Sequence, residues 1–257
     1  MLETRGLTIR FGGHVAVDHV SCAFAPGTLT AIVGPNGAGK TTYFNLVSGQ
    51  LPASEGQVLL NGEDISSLPA PLRTRKGLGR AFQLTQLFPN LTVRENVRLA
   101  VQAREEGRHG MGLDLLCVWR DRKSWIEEAS AILHTVRLVD KADAHAAALP
   151  HGDQRKLEVA LLIALDPKVF MFDEPTAGMS VDEVPVILDL VRALKSRKDR
   201  TILLVEHKMD VVRELADRIV VLHNGQRVAD GEPAEVIASP VVQQAYLGMA
   251  PEMPEAA

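Results

Sequence analysis

Cysteine is almost missing from this chain: among 257 residues there are two, Cys22 and Cys117. They lie far apart and show no metal-ligand spacing, which argues against a disulfide scaffold and fits a reducing, cytosolic compartment. Long apolar runs are missing as well. The best of them, LEVALLIAL (157–165) and TILLV (201–205), are too short or too interrupted to span a bilayer. At the N-terminus, MLETRGLTIRF carries Glu3 and Arg5 where a secretory leader needs an apolar core. A chain soluble by itself is expected, serving a membrane, if at all, through partners. Formal net charge is −4, so the electrostatic footprint of a nucleic-acid binder is absent and no nucleic-acid partner is expected. Local basic clusters such as RTRKGLGR (73–80) can still meet a phosphate or a partner, with a solvated loop the plainer reading. Repeats and low-complexity tracts are lacking, and within the acidic, proline-containing end APEMPEAA residues 251–257 read as a flexible tail.

What is present is 46% hydrophobic composition, enough for one substantial α/β core or a core with a small attached subdomain. LETRGLTIRF, a GGH turn and VAVDHVSCAF alternate as a β-hairpin or paired edge strands do. TLTAIV (28–33), VFMF (169–172) and TILLV (201–205) read as buried parallel strands. Helical stretches fall at 183–196 and 208–216, and RIVVLHNGQRVADG carries an Asn224–Gly225 hairpin signal. Strands alternating with helices imply a parallel sheet wrapped by helices. Residues 92–148 are instead helical and strand-poor (VRENVRLAVQAREE, then RKSWIEEASAILHTV). They mark a helical subdomain, roughly 92–165 once the next helix is included, set within a single domain of residues 1–250. Its GRHGMGLDLLCVW part (107–119) reads as a loop.

The strongest chemical signal is GPNGAGKT, Gly34 to Thr41, which follows a predicted strand and opens a predicted helix near Gly39. It matches G-x-x-x-x-G-K-[ST] in the context that motif requires. Glycines let backbone N–H groups wrap phosphate oxygens, and a helix N-terminus adds its positive dipole end. Lys40 can then reach the β- and γ-phosphates, and the Thr41 hydroxyl can ligate Mg²⁺. VFMFDE (169–174) places Asp173 at a strand end, where it can hold Mg²⁺ directly or through water, and Glu174 beside it can polarise an attacking water. An Asp-Glu pair is weak evidence alone, but gains force beside a phosphate loop. His207, just past TILLV, sits at a strand end of the kind that converges on a ligand crevice. Gln83, at the junction between core strand and helical subdomain, can sense Mg²⁺ and the γ-phosphate.

Taken in order, GPNGAGKT, AFQ, LPHGDQR, VFMFDEP and LVEH resemble the ATP-binding subunit of ABC transporters over nearly the whole chain. FGG, GRAFQLTQLFPNLTVREN and the ending QQAYLG are similar to the branch that powers importers of branched-chain and other hydrophobic amino acids. FDEPTAGMS and VLHNGQ are also similar to relatives that energise urea or amide uptake. The resemblance implies an α/β fold: a P-loop NTPase core with a mostly parallel sheet, an N-terminal antiparallel β-subdomain and an inserted helical subdomain. It implies ATP and Mg²⁺ as cofactors. Phe11 would stack on adenine, and Asn36, Gly37, Ala38, Gly39, Lys40, Thr41 and Thr42 would hold phosphates. Thr41, Gln83 and Asp173 would attend Mg²⁺, Glu174 would be the catalytic base, and His207 would contact the γ-phosphate. Two such domains would sandwich two ATP molecules, with His151, Gly152 and Asp153 of LPHGDQR meeting the nucleotide of the opposing subunit. Partners would be a second ABC ATPase subunit, membrane permeases and, indirectly, an external solute-binding protein. The chain would be peripheral, on the cytoplasmic face of the inner (cell) membrane.

Departures from the family pattern concentrate in two segments. LPHGDQR has Pro150 and His151 where the usual segment, L-S-G-G-Q, has serine and glycine. Pro150 removes a hydroxyl and a backbone N–H, at a cost of about 0.5–1.5 kcal/mol for one neutral donor. Gly152 and the dipole of a helix read over 153–165 remain, which describes a variant, working clamp. In AGMSVDE, Ser180 stands where an aspartate is usual. Ser180 with Glu183 can form a capping box, although Pro185 makes a helix start at Asp182 equally consistent. Leu161 replaces a common arginine and extends the apolar face of its helix. Two further readings stay open. One is a regulatory ATP-binding clamp whose partner does most of the hydrolysis. The other, a non-transport ABC protein of DNA repair or translation, usually needs a long coiled coil or two fused ATPase halves, and neither is here.

Overall fold

The computed structural model describes residues 1–81, 87–109 and 123–247. The predicted Gln83 therefore lies outside the described residues, as do Cys117 and most of the predicted 107–119 loop. The chain divides into two compact units, one of residues 1–69 with 201–257 and one of 70–200.

In the first unit, β1 (Leu2–Phe11) and β2 (His14–Phe24) form the expected antiparallel hairpin. β4 (Glu55–Leu60) and β5 (Glu63–Asp64) extend it, giving the order β2-β1-β4-β5. The unit's second set of strands is parallel at its centre. β3 (Leu29–Val33) pairs with β8 (Thr201–Val205) on one side and β9 (Arg218–His223) on the other, all in parallel. β10 (Gln226–Gly231) returns antiparallel to β9. β3 and β8 are buried along their whole length, which is why they read as unbroken apolar runs. Asn224 and Gly225 turn between β9 and β10, both at positive φ (48° and 77°), the backbone of a type I′ hairpin. α1 (Lys40–Ser48) follows β3 and stops at Gly49, a left-handed cap whose N–H reaches the carbonyls of Asn45 and Leu46. α7 (Met209–Leu215), α8 (Pro233–Ala238) and α9 (Pro240–Leu247) follow. Val212, Val236 and Val242 from these helices join Ala31, Val33, Ile219 and Val221 of the sheet in one buried cluster.

The second unit opens with α2 (Ala70–Arg75) and β6 (Leu78–Ala81), and β6 pairs in parallel with β7 (Val169–Asp173). The basic cluster at 73–80 departs from the solvated-loop reading. It forms parts of α2 and β6, with Arg73 2% exposed and the Arg80 side chain 5% exposed. α3 (Val93–His109), α4 (Lys123–Thr135) and α5 (His151–Leu165) pack on one another as the expected helical group, and α6 (Val184–Lys195) follows β7. α3 starts at a full capping box. Thr92 Oγ1 accepts the Glu95 N–H (3.1 Å), while Glu95 accepts from the Thr92 N–H (2.8 Å). Among the described residues no helix is long and apolar enough to cross a membrane.

One arginine ties the three helices. Arg104 on α3 grips Glu128 of α4 with both terminal nitrogens (2.7 and 2.8 Å) and donates to the Ala164 carbonyl near the end of α5 (3.1 Å). The Glu128 hydrogen bonds push its guanidinium pKa up. Arg104→Ala is expected to lower the unfolding free energy by about 1–2 kcal/mol, held down by the partial exposure of Glu128. Urea unfolding at neutral pH, followed by circular dichroism, measures it.

Candidate functional site

The loop Gly34–Lys40 joins β3 to α1 and is held by main-chain contacts. A Cβ on Gly34 would lie 2.1 Å from the Leu222 carbonyl oxygen, and one on Gly39 would lie 2.5 Å from that of Ala16. Gly39 also has φ +96°, so α1 starts from a left-handed residue. The Ala38 carbonyl accepts the N–H of Gly225 (3.1 Å), and the Gly225 carbonyl accepts the N–H of Asp18 (2.8 Å). β2 and the β9–β10 turn thereby brace the loop from two sides. Lys40 is buried, and its ammonium donates to the carbonyls of Gly34 (2.7 Å) and Pro35 (2.9 Å), which lays a positive charge across the loop. The first-turn amides of α1 add to it. Glycine cradle, cation and helix end together fit a polyphosphate.

The same unit carries two other predicted residues. Phe11 ends β1 and is 50% exposed, leaving its ring face available. His207 lies two residues beyond β8, exposed, and its N–H donates to the Glu206 carboxylate (2.9 Å). Because β8 is the parallel neighbour of β3, with Val205 opposite Ile32, the strand end leading to His207 lies beside the one leading to the loop.

The second unit carries Asp173 and Glu174. Asp173 closes β7 with its side chain fully buried; Oδ2 accepts from Arg80 Nη2 at 2.5 Å. Burial pulls the Arg80 pKa down against the opposing pull of Asp173. Asp173 Oδ1 is buried and has no hydrogen-bond partner among the described residues. One oxygen oriented and the other open to coordination is a donor set that fits a hard divalent cation. Glu174 follows in the left-handed region, φ +51°, and its carbonyl accepts the Ala177 N–H (3.1 Å). A non-glycine residue held there stores backbone strain, a feature that clusters at functional sites.

α5 starts at His151, two residues earlier than read from sequence, with Pro150 as its cap residue. His151, Gly152 and Asp153 therefore form the first turn, whose amides have no intrahelical acceptor. The Asp153 carboxylate is engaged inside the chain, by Lys141 and by Lys156 (2.9 Å). Burial works against its charge, but those two ammonium groups outweigh it and hold the carboxyl below its ordinary range. Ser180 and Glu183 do meet: the Glu183 carboxylate accepts from the Ser180 N–H (3.2 Å) and Oγ (3.0 Å). The regular helix α6 nevertheless opens at Val184, with Pro185 in its first turn where proline is tolerated.

The family model described as ABC transporter matches residues 17–177, more than half of the chain. The chain belongs to the ABC transporter family. This ABC-type transport ATPase is 38% identical over 251 residues to the high-affinity branched-chain amino acid transport ATP-binding protein BraF of Pseudomonas aeruginosa, covering 97% of this chain and 98% of BraF. It is 36% identical over 253 residues to LivG of Escherichia coli K12, a protein of the same description, with 97% and 98% covered. Among solved structures, a nucleotide-free ATP-binding cassette from an ABC transporter superposes with TM-score 0.80 at 29% identity, covering 96% of this chain and 98% of that one. The cassette MJ1267 in its ADP conformation gives TM-score 0.80 at 30% identity with the same coverage.

Two residues that contact the candidate site were missed from sequence. Arg80, the partner of Asp173, lies inside a cluster whose charge pattern suggests solvent. Gly225, which bonds to the phosphate loop, reads only as half of a hairpin signal. Two outcomes follow. Gly39→Ala is expected to cost about 1–3 kcal/mol through overpacking and to remove nucleotide binding, checked by thermal melting and titration with a fluorescent ATP analogue. Arg80→Leu leaves Asp173 buried and uncompensated, and is expected to destabilise by about 3 kcal/mol in urea unfolding.

Proposed function

We propose that this chain is the ATP-hydrolysing subunit of an importer for branched-chain or other hydrophobic amino acids. The observation that supports the solute class is end-to-end similarity to BraF and LivG, at 36–38% identity over at least 97% of each chain. In this reading Phe11 packs on the adenine, and Asn36 to Thr42 hold the phosphates, with Lys40 neutralising the charge that develops on transfer. Thr41 and Asp173, with Gln83, hold Mg²⁺, an ion usually bound by one or two protein oxygens together with substrate phosphates and water. Bound there, the ion supplies charge neutralisation of the phosphate oxygens. Arg80 keeps Asp173 oriented for that task. Glu174 accepts the proton of the attacking water, and His207 donates a hydrogen bond to the γ-phosphate. The first turn of α5, with His151, Gly152 and Asp153, faces the nucleotide of a second ATPase subunit, Pro150 contributing shape in place of a hydroxyl. Membrane permeases on the cytoplasmic face of the cell membrane receive the closing motion, and an external binding protein delivers the solute.

Glu174→Gln removes the proton acceptor while leaving the loop that binds nucleotide. Its Mg-ATPase rate is expected to fall about 100-fold or more with affinity for ATP retained, measured by phosphate release and nucleotide titration. Turnover at the wild-type rate would overturn the assignment. Leucine-stimulated ATPase of the complex with its permeases in liposomes tests the solute class, and stimulation by urea or short amides instead would favour that branch.

A further inference from the structure

The segments that carry the two departures from the family pattern, at 150–151 and at Ser180, meet in the structure. Gly178 sits in the loop after Glu174 at φ +71°, and a Cβ there would lie 2.9 Å from His151 Cε1 and 3.2 Å from its Nδ1. The imidazole therefore rests on the bare backbone of Gly178. The reverse contact occurs five residues later in the loop. A Cβ on Gly152 would lie 2.2 and 2.3 Å from the two carboxylate oxygens of Glu183. Each segment thus provides a glycine as the seat for a side chain of the other. The Glu183 carboxylate is fixed in its seat by Ser180, as above, and by Lys156 Nζ at 3.1 Å, the same ammonium that holds Asp153. Hydrogen bonds from Lys156 and Ser180 keep its pKa below the ordinary carboxylate value.

We infer that His151 and Glu183 act as a clasp, pinning residues 176–183 to the first turn of α5 and so holding the backbone of Glu174 in its left-handed conformation. The path is short: Gly178 adjoins Ala177, whose N–H closes the turn onto the Glu174 carbonyl. The histidine that stands where glycine is usual supplies a contact within the chain, beside the position where the usual loop aspartate is replaced by Ser180. His151 and Glu183 are positioning residues in this account, acting through the loop. The catalytic consequence rests on the reading of Glu174 as base, whereas the clasp itself does not.

Amide hydrogen exchange on the full chain, run beside steady-state ATPase, tests it. His151→Gly is expected to speed exchange of amides 177–182 about fivefold or more while leaving β7 and the last two turns of α5 unchanged. It should lower kcat, and because His151 also faces the second subunit's nucleotide in the proposed function, exchange rather than KM decides the clasp. His151→Phe keeps a ring on Gly178 and should keep the slow exchange, and Glu183→Ala should loosen the same amides as His151→Gly. Unchanged exchange in His151→Gly overturns the clasp whatever the ATPase rate. So does fast exchange in His151→Phe. An ATPase-silent wild-type chain with slow loop exchange points to the missing second subunit, and leaves the clasp standing on the exchange data.

Discussion

Two carbonyl oxygens, those of Leu222 and Ala16, occupy the space that a side chain on Gly34 or Gly39 would need. The first unit is organised around that closeness. β3 brings the chain to the loop, β9 and β2 flank it, and no side chain separates the main chains that meet there. Backbone packed on backbone leaves the loop without bulky side chains at Gly34 and Gly39, and main-chain N–H groups in such a loop can form an anion site without any formal charge. Lys40 then adds a cation, buried against the loop's own carbonyls.

The second unit uses a different physical device. Its functional segments are set by paired charges, buried for Asp173 with Arg80 and nearer the surface for Asp153 with Lys141 and Lys156 and for Glu183 with Lys156. Such pairs are poor sources of net stability, because desolvation offsets much of the attraction. Their value is directional. A carboxylate whose one oxygen is held by a buried guanidinium has little freedom to rotate, and Asp173 shows that arrangement at the end of β7. The helical group follows the same logic, with Arg104 fixing α3 against α4 and the end of α5.

Much of this was legible in the sequence, and the unread parts share a cause. VFMF and TILLV announce buried parallel strands because both faces of such a strand are covered, so apolarity is continuous. GPNGAGKT announces itself because strand, turn and helix must all surround it. NG between two alternating runs marks the hairpin. Arg80 could not be read in the same way, since its partner is 93 residues away and a one-dimensional charge cluster does not reveal which member turns inward. The early start of α5 was hidden by a His-Gly pair that scores poorly as helix, although Pro150 presets the backbone just before it. Lys156 lies one helical turn beyond Asp153 and could be read as its partner from sequence, whereas Lys141 is brought there by the fold. Gln83 lies outside the described residues and gains nothing from them.

The Asn224–Gly225 turn has a practical consequence for anyone handling this protein. Exposed two-residue hairpins are ordinarily the safest places to insert an affinity tag, a fluorophore sequence or new termini by permutation. Here the turn amide is bonded to the carbonyl of Ala38, and the turn carbonyl to the amide of Asp18. An insertion at 224–225 would act as a lesion in the Gly34–Lys40 loop, some 185 residues away along the chain. Reporter groups belong elsewhere, because a change at this turn reaches the Gly34–Lys40 loop as well as the hairpin.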